Sequence, residues 1–120
     1  MVFQSITHKI IKSGLVVNNY LGIGFSENVY KRSFAFEMNI NGLKTCIEKP
    51  IDVFYKGENV GRYYADIVVD DQIILEIKCV EKIIYPHIAQ LKNYLAATRY
   101  PIGMIFNFKH SHLSFIRAYP

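Results

Sequence analysis

The chain has 120 residues, 51% of them hydrophobic, and a formal charge of +4. That length suits a single domain, residues 1–120, that buries roughly two-thirds of its unfolded surface, and it excludes a disordered chain. The charges are scattered rather than blocked, so they permit a polyanionic partner without demanding one.

No stretch approaches the ~18 apolar residues of a membrane span. The amino-terminal residues lack an apolar run followed by a small-residue cleavage site. Cys46 and Cys79 stand far apart and outside metal-like spacing. The expectation is a soluble, cytoplasmic protein with no membrane association and two buried free thiols.

Residues Gln4 to Tyr20 carry Ile6, Ile10, Ile11, Leu15 and Val17 at helical spacing and end at Gly22 and Gly24. Ser26 can cap a second helix with Tyr30, Phe34 and Met38 on one face and Asn41-Gly42 as its stop. From Thr45 the period changes to alternation, and Lys56-Gly57-Glu58-Asn59 turns the chain. Val60 to Val69 and Ile73 to Val80 are the next two strands. Pro86 suits a helix start, and Ile88, Leu91 and Leu95 form the buried stripe of a helix running to Thr98. Ile102 to Phe108 and Leu113 to Ala118 close the chain as strands. The predicted class is α/β (α+β), a mixed β-sheet flanked by helices in the order α-α-β-β-β-α-β-β.

Three residues resist a packing explanation: Asp66, Glu76 and Lys78, set within strands whose neighbours are apolar. Glu76 and Lys78 share a strand face, and alone they would pass for a surface ion pair. Asp66 alters that reading. With Asp70-Asp71-Gln72 as a three-residue loop, Val69 lies opposite Ile73 and Asp66 opposite Glu76. Two carboxylates roughly 5 Å apart at their Cβ atoms repel unless a cation lies between them. A hard divalent ion is the natural choice, because Mg²⁺ takes oxygen ligands and keeps several waters. Lys78 could then orient or deprotonate an attacking water, or offset phosphate charge.

Asp66 followed by Glu76-Ile77-Lys78 resembles the D…(D/E)-x-K core of the PD-(D/E)XK nuclease superfamily, with Ala65 where that pattern usually has Pro. The segment Gly24-Phe25-Ser26-Glu27-Asn28-Val29-Tyr30 is similar to the signature of the small prokaryotic GxxExxY proteins, which are assigned to that superfamily. The likeness continues through Pro50-Ile51, Tyr64-Ala65-Asp66, His87, Gln90-Leu91, Tyr94-Leu95 and Asn107-Phe108. Gln90 and Tyr94 also form a Q-x-x-x-Y pair similar to that of RecB-like exonuclease domains, with His87 on the same stripe.

The resemblance implies a Mg²⁺- or Mn²⁺-dependent nuclease, exonuclease-like, acting on nucleic acid, DNA before RNA. Asp66 and Glu76 would hold the metal, with the Ile77 backbone carbonyl as a further ligand and Glu27 bound through water. Lys78 would act on the attacking water, while Gln90 and Tyr94 would support site and substrate. A chain this short also raises the expectation of a homodimer or a partner protein. The competing expectation is a non-catalytic nucleic-acid-binding or assembly module that keeps the fold. Lys31, Arg32, Lys9 and Lys12 read as exposed helix faces, and His110 and His112 as solvated loop.

Overall fold

The computed structural model describes residues 2–120, with side chains described from Gln4 onward. Met1 lies outside them. The elements are α1 (Val2–Leu21), α2 (Glu27–Ile40), β1 (Thr45–Tyr55), β2 (Glu58–Val69), β3 (Ile73–Lys78), α3 (Tyr85–Thr98), β4 (Ile102–Asn107) and β5 (Ser114–Ala118). This is the expected α+β order. The five strands form one sheet in sequence order, antiparallel throughout except for the parallel β3–β4 pair that α3 bridges.

Each sheet face carries its own core. Ile10, Tyr30, Phe34 and Met38 of α1 and α2 pack on Ile67, Leu75, Ile77, Met104 and Phe106. On the other face Leu91, Tyr94 and Leu95 of α3 pack on Val68, Ile74 and Ile105. The central strands β3 and β4 are covered on both sides, which is why they read as continuous apolar runs rather than alternating ones.

Three features differ from the sequence expectation: two strand boundaries and the burial of one cysteine. Lys56 (φ +49°) and Gly57 (φ +86°) alone make the β1–β2 turn, so β2 begins at Glu58 rather than Val60. Two consecutive left-handed residues give the tight hairpin turn whose twist matches the strands. Cys46 is exposed rather than buried, because Ile47 takes the inward pleat.

The third difference is that β3 stops at Lys78 rather than Val80. Beyond it the buried side chain of Asn107 takes over as hydrogen-bond partner. Its Oδ1 accepts from the Val80 N–H at 3.1 Å and its Nδ2 donates to the Val80 carbonyl at 2.8 Å. Asn107→Ala is expected to leave both backbone groups unpaired and to lower stability by about 1–3 kcal/mol, read from urea unfolding.

One irregularity positions the site. Ile47 and Ile67 pack with the α1–α2 core, whereas Ile51 and Ala65 belong to the α3 core. Regular strands would keep these odd-numbered residues on one face. Between them the ladder skips from Ile47↔Ile67 to Lys49↔Ala65, and Glu48 sits at φ +56°. Both strands therefore change face at Glu48 and Asp66. The β2–β3 ladder ends next door, at Ile67↔Leu75. The sheet splits there.

Candidate active site

Asp66 and Glu76 stand where β2 and β3 part. The pairs Val69↔Ile73, Val68↔Ile74 and Ile67↔Leu75 leave Asp70-Asp71-Gln72 as the loop, and Asp66 and Glu76 are the next residues past the end of this ladder. Side chains replace the missing ladder bonds. The Asp66 N–H donates to Glu76 Oε2 at 2.9 Å, and the Ile77 N–H donates to Asp66 Oδ2 at 2.7 Å. Each carboxylate is thus anchored by one oxygen to backbone, a rigid arrangement for a pair of like charges.

Burial makes that pair electrostatically tense. Glu76 is 6% exposed. Its burial, and then the charge of Asp66, push its pKa up to about 8, against the opposing pull of the Asp66 N–H, Lys78 and Lys31. Burial also raises Asp66, while the Ile77 N–H and then Lys31 and Lys78 favour its ionised form. Tyr94 is buried beside them. Burial, Glu76 and Asp66 raise it to about 12, so its phenol stays protonated and can act only as a neutral hydrogen-bonding group.

Lys31 is the residue that sequence reasoning missed. Its side chain is only 12% exposed, not the open helix face expected, and its Nζ lies 2.9 Å from Glu48 Oε1 and 3.9 Å from Asp66 Oδ1. The left-handed Glu48 turns its carboxylate to this lysine at the level where the strands change face. A signal existed: Lys31 is one helical turn from Glu27, so both leave α2 on the same side.

Glu27 opens α2 behind the Ser26 cap. It is exposed, and its Oε2 accepts from the Cys79 N–H at 3.1 Å, just past the end of β3. Tyr30, by contrast, is structural. Its hydroxyl donates to the Gly22 carbonyl and its ring stacks on Phe108 at 4.8 Å. Gly24 holds φ +106°, open to glycine. The G-x-x-E-x-x-Y segment therefore contains one residue for backbone shape, one carboxylate aimed at the end of β3, and one core anchor.

On α3, Gln90 is exposed and lies one turn before Tyr94. His87 is bound up with its own helix, where its Nδ1 accepts from the Ile84 N–H at 3.1 Å and closes the helix start. His110 Nε2 lies 2.9 Å from the Glu81 carbonyl oxygen, and His112 is exposed.

Residues 4–118 match the PD-(D/E)XK nuclease superfamily. The chain belongs to that superfamily. No curated protein and no solved structure matches it. The matched span includes Asp66, Glu76 and Lys78, the strand residues that packing left unexplained.

The donor chemistry fits the divalent cation that this superfamily implies. One buried and one half-buried carboxylate, Glu76 and Asp66, supply hard oxygen ligands, and each commits only one oxygen to a backbone N–H. Among the described residues no three His, Cys, Asp or Glu side chains converge as a metal-binding group. Glu27 is turned to the Cys79 N–H instead. Water and substrate oxygens would complete such a site, as is usual for Mg²⁺.

Proposed function

We propose that this protein hydrolyses phosphodiester bonds of nucleic acid at the Asp66–Glu76 pair with Mg²⁺ or Mn²⁺. The observation that carries the reading is the cross-anchored pair of carboxylates, Glu76 buried and Asp66 half-buried, with two lysines beside it. Such a pair is costly to hold ionised without a cation. Asp66 and Glu76 would hold the metal, with the Ile77 carbonyl as a third protein oxygen and Glu27 acting through water. Bound there, the ion would polarise a phosphoryl oxygen and acidify a water. Lys78 orients the attacking water at its Nζ and offsets the charge that grows on the phosphate. Lys31, after the Ile77 N–H, favours the ionised form of Asp66 against the effect of burial. Tyr94 keeps bulk water from the inner edge of the site, and Gln90 meets the substrate from α3. Within the superfamily the G-x-x-E-x-x-Y segment supports membership of the GxxExxY group, and the Q-x-x-x-Y pair supports exonuclease-like action on DNA.

The test is cleavage of a mixed panel of single- and double-stranded DNA and RNA, with Mn²⁺, with Mg²⁺ and with EDTA. Metal-dependent products support the hydrolase. The arrangement of Glu27 favours one rival, a binding or assembly module, since only two carboxylates converge. A protein that binds the panel but cuts nothing is that module.

Lys31 allows a sharper check. Removing a positive charge about 4 Å from Asp66 strengthens any cation bound there and weakens any polyanion, each by on the order of 1 kcal/mol in a solvated site. Lys31→Met should therefore tighten Mn²⁺ binding several-fold in calorimetry while loosening nucleic-acid binding. Movement of both affinities in one direction would remove Lys31 from the site.

A further inference from the structure

We infer that the β1–β2 hairpin is a stacking platform for unpaired bases, so that the strand presented to the Asp66–Glu76 site is single-stranded. The inference rests on the hydrolase reading and names its substrate class.

From Ala65 back to Glu58, β2 pairs only with β1, in a register running from Lys49↔Ala65 to Tyr55↔Glu58. This ribbon carries four aromatic rings that the fold leaves largely uncovered, Phe54 and Tyr55 at 62% exposed, Tyr64 at 55% and Tyr63 at 50%; each consecutive pair splits between the two faces, so each face presents two rings. Tyr63 lies opposite Ile51, whose side chain belongs to the α3-side core. Its ring accordingly faces α3, with its centroid 5.7 Å from that of Tyr94. Tyr94 is buried on that side of the sheet, and β2 itself runs on from Tyr63 to Asp66 three residues later. The free ribbon thus leads to the carboxylates.

Cations accompany the rings. On the ribbon Lys56 Nζ stands 5.4 Å over the Tyr55 ring, while Lys49 Nζ, 3.4 Å from Asp71 Oδ1, lies 6.0 Å over the ring of Tyr100 beyond the ribbon. Flat apolar faces interleaved with ammonium groups match an unpaired strand, whose bases stack on aromatics while its phosphates meet lysines. A duplex offers a poorer match, because its bases already cover one another and present only edges and phosphates.

The experiment is a fluorescence-anisotropy titration, in EDTA, of a labelled oligothymidylate, an oligouridylate and a blunt DNA duplex of equal length. Tyr55→Ala and Tyr63→Ala are each expected to weaken single-strand binding about tenfold, the size of one lost base–ring stack, and to leave the weaker duplex binding unchanged. Tyr63→Phe should bind like wild type. Tyr55, at the exposed tip, keeps the test valid should Tyr63→Ala disturb the packing of Tyr94. Tighter binding of either single strand supports the platform and identifies the preferred sugar. Duplex binding equal to single-strand binding overturns it. So does unchanged affinity in both alanine variants, or a dimer that these variants dissociate without affecting nucleic acid. Because binding is read without metal, a protein that holds the single strand yet never cuts it with Mn²⁺ removes the hydrolase and leaves the platform standing.

Discussion

Under the proposed hydrolase reading, Glu76→Gln is expected to abolish metal-dependent cleavage, lowering the rate at least about 10²-fold, while nucleic-acid binding and folding persist. The amide keeps the shape of the side chain and can still accept from the Asp66 N–H, the bond Glu76 Oε2 now makes at 2.9 Å. What it loses is the negative charge that would hold a cation, and loss of one transition-state group is worth on the order of 3 kcal/mol. Binding draws on dispersed phosphate contacts and has no need of this oxygen. A Mn²⁺ cleavage time course beside a binding titration reads both quantities. Lys78→Ala should give the same split from the other side of the reaction, through loss of the charge that faces water and phosphate. A Glu76→Gln protein that cuts at the wild-type rate would place the chemistry elsewhere.

The stability of the metal-free protein falls as pH rises from about 4.5 to about 8, the ordinary and the folded pKa of Glu76. Below 4.5 the carboxyl is protonated in both states and its contribution is complete. Between the two values the folded protein retains a proton that the unfolded chain has lost, so raising the pH favours unfolding. Above 8 the contribution is gone. A shift of this size corresponds to a few kcal/mol, and Asp66 acts in the same direction. Glu48, Asp52 and Asp71 are held below their ordinary values by Lys31, Arg62 and Lys44, respectively. Their contributions are lost as pH falls, at the acid end, and leave the upper window to the buried pair. Thermal unfolding across this range should show the decline in EDTA, a flatter profile for Glu76→Gln, and, if the proposed site holds the ion in the folded state alone, recovery in Mn²⁺. A wild-type profile that stays flat in EDTA between pH 5 and 8 would mean that Glu76 is ionised without a cation.

Much of the fold was legible because local periodicity reports which side of an element is dry. Alternation from Thr45, the apolar runs of β3 and β4, and the cap at Ser26 each reflect energetics among near neighbours in the chain. Parity carried the same logic as far as Ile67↔Leu75, with the expected three-residue loop between Val69 and Ile73; from there the Asp66 N–H to Glu76 and the Ile77 N–H to Asp66 bonds, not alternation, join the two carboxylates. The polar residues of β2 and β3 could be singled out for the same reason.

Only the tertiary structure decided what surrounds them. Lys31 reads as an exposed helix residue until α2 packs on the sheet and brings its Nζ to Glu48 and Asp66. Nothing local marks Glu48 for left-handed backbone, nor Asn107 as the partner that ends β3 at Lys78. His87, on the stripe with Gln90 and Tyr94, spends its Nδ1 on the helix start. These roles depend on contacts between segments far apart in the chain, where burial and pairing are set by the whole fold rather than by any residue's neighbours. The strands and their register belong to the sequence; the electrostatic setting of Asp66 and Glu76 belongs to the packed molecule.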